Sequence, residues 1–152
     1  MVCLPADTLL EAIDGPTAIG ALEGKWIPVL TRLPDGRRGF RMMGKFAKAP
    51  ASSPIVRVWF ENGQTVRVGA EQAFVRKDGS EVRAADLQPG DAFEQAFHYR
   101  DGYRPPDLPD LRESDGTLRV IAVDADGEAE TFTAPIRETG RFFLTCGALL
   151  KA

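Results

Sequence analysis

Helical periodicity is missing from this chain: no stretch of its 152 residues holds apolar positions at helical spacing for three turns. An all-β reading follows. Histidine is nearly missing as well. His98 is the sole imidazole, so any histidine catalysis in the domain must use it. There is no cationic excess, since the formal net charge is −3, and hence no basic field to hold nucleic acid by its phosphates. No apolar run approaches membrane-spanning length, and no basic segment followed by an apolar one resembles a signal peptide. Neither a membrane nor a nucleic-acid partner is expected, and the expected location is the cytoplasm. Cysteine is scarce. Cys3 and Cys146 stand at opposite ends of the chain, where a disulfide between them is conceivable, but cytosolic thiols usually stay reduced. Their spacing fits no metal motif, and no metal or cofactor is expected.

What remains is a strand-and-turn chain. Hydrophobic residues make up 43% of it, enough for one domain, 1–152, with a real core. Thr8 to Ala12 and Trp26 to Leu30 read as strands, and Phe40 to Phe46 follows the turn residues Pro34-Asp35-Gly36. Ile55 to Phe60 and Thr65 to Val68 read as a hairpin across Asn62-Gly63, a pair suited to a primed turn. Leu118 to Val123 and Glu130 to Ile136 are expected to form another across Asp124-Ala125-Asp126-Gly127. Two stretches interrupt the ladders. Ala47 to Pro54 carries two prolines and reads as a loop or edge crossover. The Pro-rich run 98–115, from His98 to Asp115, reads as a long surface excursion.

An internal repeat organises these pieces. Asp14-Gly15 precedes Ala18-Ile19-Gly20-Ala21-Leu22-Glu23-Gly24, and Asp78-Gly79 precedes Arg83-Ala84-Ala85-Asp86-Leu87-Gln88-Pro89-Gly90-Asp91. Each copy reads as strand, tight turn, strand, one helical turn, and a glycine before the next strand. Asp-Gly suits the turn because both residues accept positive φ cheaply. Two such units predict a duplicated architecture with pseudo-two-fold symmetry, in which Leu22 and Leu87 are equivalent core residues.

These blocks resemble the hedgehog/intein (Hint) family along nearly the whole chain. The resemblance begins at Cys3, followed by Asp14-Gly15 and the Ile19 to Gly24 element. Midway, where the family carries Thr-x-x-His, an apolar strand, Asp-Gly and Leu-x-x-Gly-Asp, this chain has Gly69-Ala70-Glu71-Gln72, Ala73 to Arg76, Asp78-Gly79 and Leu87 to Asp91. The ending matches as Thr131 to Ile136, Thr139-Gly140 and the run Phe142 to Ala152. Lys151 and Ala152 stand where the family has His and Asn. The implied fold is an all-β Hint-type horseshoe of duplicated β-hairpin units, with Cys3 and Leu149 on neighbouring strands near its centre.

The resemblance assigns chemistry position by position. Cys3 matches the family's nucleophile, whose thiol attacks the preceding carbonyl, here that of Val2, and converts the amide to a thioester. That step needs acid–base help and oxyanion stabilisation, which the family draws from the mid-chain Thr and His. Gly69 and Gln72 occupy those positions. Glycine offers no side chain, and glutamine hydrogen-bonds without exchanging a proton. At the far end Lys151 and Ala152 supply neither the imidazole nor the cyclising amide. Cys146, placed in the closing strand, reads either as a second nucleophile or partner for Cys3, or as a core thiol. His98 reads as a replacement helper or as a surface residue.

Two functions follow as expectations. The first is a degenerate, splicing-incompetent Hint-like domain serving as a structural or interaction module with a protein partner, such as an accessory piece of a phage particle. The alternative is a residual self-cleaving domain that uses Cys3 for an N–S acyl shift at the Val2–Cys3 bond.

Overall fold

The computed structural model describes residues 1–94 and 117–152; His98 and the excursion 98–115 lie outside the described residues. The first unit runs β1 (Leu4–Pro5), β2 (Leu9–Ala12), β3 (Gly15–Ala18), a 3-10 turn (Ile19–Leu22), β4 (Ile27–Arg32) and β5 (Arg38–Met43). Then come β6 (Ala47–Lys48) and β7 (Ser53–Phe60). The second unit runs β8 (Thr65–Gly69), β9 (Ala73–Val75), β10 (Glu81–Arg83), a 3-10 turn (Ala84–Asp86) and β11 (Ala92–Glu94). The chain finishes with β12 (Thr117–Ala129), β13 (Thr131–Thr133), β14 (Arg141–Phe143) and β15 (Leu149–Lys151).

Among the described residues the strands form four sheets, ordered β3-β2-β4-β5, β11-β12-β7-β8, β10-β9-β15-β14 and β1-β13-β6. The described residues contain no α-helix, as the missing periodicity predicts, and the fold is all-β. Phe74 and Phe60 both pack against Phe93, at ring-centroid distances of 5.6 and 6.3 Å. These rings belong to one large apolar cluster that includes Leu22, Leu87, Val58, Val68 and Phe142. A smaller cluster of Leu30, Val75, Phe143 and Leu149 joins β4 to the closing hairpin.

The duplication is written into the backbone hydrogen bonds. Ile19 N–H donates to Thr8 O, and Ala84 N–H donates to Gln72 O. Gly20 N–H donates to Ala6 O as Ala85 N–H does to Ala70 O, and Thr8 N–H to Pro5 O as Gln72 N–H does to Gly69 O. After the 3-10 turns, Gly24 N–H reaches Phe46 O and Gly90 N–H reaches Val120 O, each at 2.8 Å. Both hairpin glycines, Gly15 and Gly79, hold the positive φ that leads the tight turn into the returning strand. Leu22 and Leu87 follow at matching places, both buried. The Asp-Gly units are therefore equivalents, as the sequence repeat implies.

Three expectations require correction. Asp124 to Gly127 does not turn the chain back. β12 continues through it, pairing with β7 from Val120–Phe60 to Ala129–Ser53, and absorbs the extra residues as register shifts after Val120 and Ala125. Gly127 takes a positive φ inside that irregularity. Ala47 to Pro54 is not wholly loop, because β6 pairs with β13 and β7 already begins at Ser53. Pro54 lies near the first residue of its strand, where a missing N–H is tolerated. Finally, Cys3 and Leu149 are not on neighbouring strands. β1 pairs with β13, whereas β15 lies between β9 and β14; the ends of the chain meet instead through a side chain.

Candidate functional site

That side chain is Gln72. A turn closing from Gln72 N–H to Gly69 O follows β8, and Ala84 N–H caps the Gln72 carbonyl. So anchored, the side chain points inward and has no solvent exposure. Its Oε1 accepts the Cys3 N–H at 2.7 Å. Its Nε2 donates to Lys151 O at 2.9 Å and to Ala73 O at 3.0 Å. Both amide hydrogens are thereby used. Reversing the amide would set its oxygen against two carbonyls and its NH₂ against an N–H, so the three partners fix its orientation.

Gly69 serves Cys3 from the other side. Its N–H donates to the Cys3 carbonyl at 2.8 Å. A Cβ built at residue 69 would overlap Cys3 Sγ and stand 2.8 Å from Cys3 O. Glycine is required here by close approach, with the cysteine side chain filling the space a larger residue would need. Val2, on the acyl side of the Val2–Cys3 peptide, is buried, and Cys3 itself is half-buried.

The closing strand contributes backbone, not side chains. Lys151 turns its ammonium outward to Glu81, at 3.1 Å, and presents only its carbonyl to Gln72. Ala152 N–H is held by Gly140 O at 2.8 Å. Nearby the buried Thr31 hydroxyl contacts the Thr139 hydroxyl at 2.8 Å and donates to Arg141 O at 2.6 Å, pinning the Thr139-Gly140 turn to β4.

Cys146 lies elsewhere. It sits in the tight turn between β14 and β15, closed by Gly147 N–H to Leu144 O, and not in the strand where the sequence placed it. Gly147, at positive φ, makes that turn possible. Burial pushes the Cys146 thiol up to about 12, and both cysteines are free. The residue lines a cleft of about 240 Å³ together with Asp7, Thr8, Arg67 and Thr145. By the repeat, this cleft is the counterpart of the Gln72 site. Leu144 bridges Leu10 as Leu150 pairs Phe74, and Thr8 stands where Gln72 stands. The shorter threonine reaches one neighbour, Arg67 O at 2.6 Å, where glutamine reaches three.

The structure thus brings Cys3, Gly69, Gln72 and the Lys151–Ala152 backbone together and leaves Cys146 apart. His98 lies outside the described residues. Asp91 accepts from Gln88 N–H at 2.7 Å and from Arg76 Nε at 3.1 Å, a turn carboxylate. Asp7 is bound by Arg67 Nη1 and does not face Cys3's neighbours in the Gln72 site. Sequence reasoning overlooked the carbonyls of Lys151 and Ala73. Side-chain identity gives no signal for them; only the strand alternation that turns Lys151 outward does.

No family model and no curated protein matches the sequence. Solved structures do match the fold. A variant of the Ssp DnaB mini-intein superposes with a TM-score of 0.78 at 14% identity, covering 100% of this chain and 99% of that one. A bacterial intein-like domain from Clostridium thermocellum gives 0.76 at 13% identity, covering 100% and 99%. A DnaB intein from Synechocystis gives 0.74 at 12%, covering 100% and 99%. The chain has the Hint fold of the inteins. Its architecture is intein-like, with Gln72 and Gly69 against the Cys3 backbone and the Lys151 carbonyl on the far side of Gln72.

Proposed function

We propose that this domain is a splicing-incompetent relative of inteins in shape, kept as a structural or interaction module, in which the former reaction centre works as a clasp. The observation that carries this reading is the triple hydrogen bond of Gln72. An N–S acyl shift forms a bond from Cys3 Sγ to the Val2 carbonyl carbon and breaks the bond from that carbon to the Cys3 nitrogen. The departing nitrogen must gain a proton. Gln72 faces it with a carbonyl oxygen, which accepts and does not donate, and its NH₂ is committed to Lys151 O and Ala73 O. Losing general-acid help costs about two to four orders of magnitude in rate. Lys151 and Ala152 offer no amide to cyclise and no imidazole. The two free thiols suit a reducing compartment such as the cytoplasm. No helix among the described residues is long and apolar enough to cross a membrane.

One observation favours a second reading. Gln72 Oε1 touches the scissile nitrogen itself, so the polar contact needed to position an acyl shift is present, and a slow residual cleavage at Val2–Cys3 is the competing function. Intact mass decides between them. The protein, made with a longer segment before Val2, is incubated with and without a small thiol or hydroxylamine. The module reading expects a single uncleaved mass; thiol-dependent release of the leading segment, abolished by Cys3→Ala, establishes the enzyme.

A further inference from the structure

The segment from Lys25 to Lys48 carries seven cationic side chains and one carboxylate, in a chain whose net charge is −3. It folds as β4, β5 and the short β6, and β5 is the edge of its sheet. The edge is open over part of its length. Leu33 N–H bonds Arg37 O across the hairpin, and Met42 O accepts the Arg137 N–H from the outer side. Alternation along an antiparallel ladder then turns the N–H groups of Arg38 and Phe40 outward, away from β4. Phe40 O is occupied by Arg41 Nη1, and Arg41 is paired with Glu138. Among the described residues the outer side of Arg38 to Phe40 has no strand neighbour.

Exposed apolar side chains adjoin this edge. Phe40 and Met42, 40% and 36% exposed, project from one face of β5 together with Arg38. Pro28 stands opposite Met42, and Ile13, 56% exposed, bonds its N–H to Pro28 O. Trp26, 45% exposed, extends the row, with the Arg137 guanidinium stacked 5.4 Å from its ring centre. Lys25, Arg38 and Lys45 have no carboxylate partner among the described residues.

We propose that the β5 edge and this row form a docking surface for an acidic, extended segment of a partner protein, which adds a strand beside Arg38–Phe40 and lays an apolar side chain against Phe40 and Met42. The inference rests on the reading of the domain as an interaction module and names the chemistry of its partner. Strand addition uses outward N–H groups for affinity and alternate side chains for selectivity. Unpaired cations at the rim select for carboxylates and steer the encounter. They also disfavour a second copy of this chain, whose β5 would bring Arg37 and Arg38 against their own equivalents. A nucleic acid would use the cations but leave the strand edge and the apolar row without a role.

The test uses the full chain in a Trp59→Phe background, so that Trp26 is the sole tryptophan. The probe is the capped peptide Glu-Val-Asp-Phe-Glu-Val-Asp, titrated against Trp26 fluorescence. Saturable binding is expected, weakened by about tenfold or more by Arg38→Glu, by added salt, and by N-methylation of alternate peptide amides. The same peptide with lysines in place of its acids should not bind. Absence of saturable binding, equal binding of the lysine peptide or of the methylated peptide, or tighter binding of an oligothymidylate of equal charge overturns the inference. Each of these leaves the clasp untouched, because leader release is read separately by mass.

Discussion

Gln72 accepts the backbone N–H of Cys3 and at the same time donates to the carbonyl of Lys151, so one buried amide ties the start of the fold to its last strand. A clasp of this kind is measured by what its loss leaves unpaired.

Gln72→Ala removes a fully buried side chain and strands its partners, the Cys3 N–H and the Lys151 and Ala73 carbonyls. Each buried unsatisfied group costs about 1–3 kcal/mol, so urea denaturation should show a loss of at least about 3 kcal/mol. Gln72→Glu should cost comparably at neutral pH, since a carboxylate has no hydrogens for the two carbonyls.

Gly69→Ala should destabilise the fold by about 1–3 kcal/mol, because its Cβ overlaps Cys3 Sγ. Cys3→Gly removes the Sγ and Cβ from that overlap and leaves the approach to Cys3 O. The double variant should therefore be more stable than the sum of the two single effects, a coupling that a thermal-melt cycle reads directly.

Leu22→Ala and Leu87→Ala should each cost about 2–5 kcal/mol, since both leucines are buried at the ends of equivalent 3-10 turns. Chemical denaturation of the two single variants checks this. A negligible cost at either position contradicts the equivalence of the units.

Thiol labelling near pH 8 should separate the two cysteines. Half-buried Cys3 reacts, while Cys146, its thiol pushed up to about 12, stays protected until the protein unfolds. The sign of the linked effect follows. Unfolding frees Cys146 to ionise near the ordinary thiol value of 9.0, so the stability it contributes is complete below about pH 9 and falls as pH rises from there toward 12. Cys146→Ala should flatten that alkaline decline, seen as melting temperature against pH.

Turn chemistry carried most of the fold's legibility. The Asp-Gly pairs, the leucines after them and the glycines after those are local necessities, each residue having one backbone task, and they marked the duplication without reference to contacts. Asp124 to Gly127 misled for the same reason. It has the composition of a turn, but β7 supplies a ladder long enough to hold it as an irregularity within a strand, and a ladder's length is not visible in the segment that joins it. Cys146 was misplaced because Thr145-Cys146-Gly147 is flanked by apolar runs on both sides, and two short strands joined by a tight turn read as one. At the site, Gly69 and Gln72 were legible as departures from the family pattern. Their consequences were not, since what matters is the distance from Gly69 to Cys3 and the three atoms that meet one amide.

Pro5 and Gly69 hold equivalent places in the two units, each accepting a hydrogen bond at its carbonyl from Thr8 or Gln72. Gly69 also gives its N–H to Cys3 O, and proline has none to give. Two copies of the first unit would therefore embrace less well than the first embraces the second: the bond that seats Cys3 would have no donor. If the chain is severed between β7 and β8, unlike halves should reassemble in preference to like ones, by about the 0.5–1.5 kcal/mol such a bond contributes.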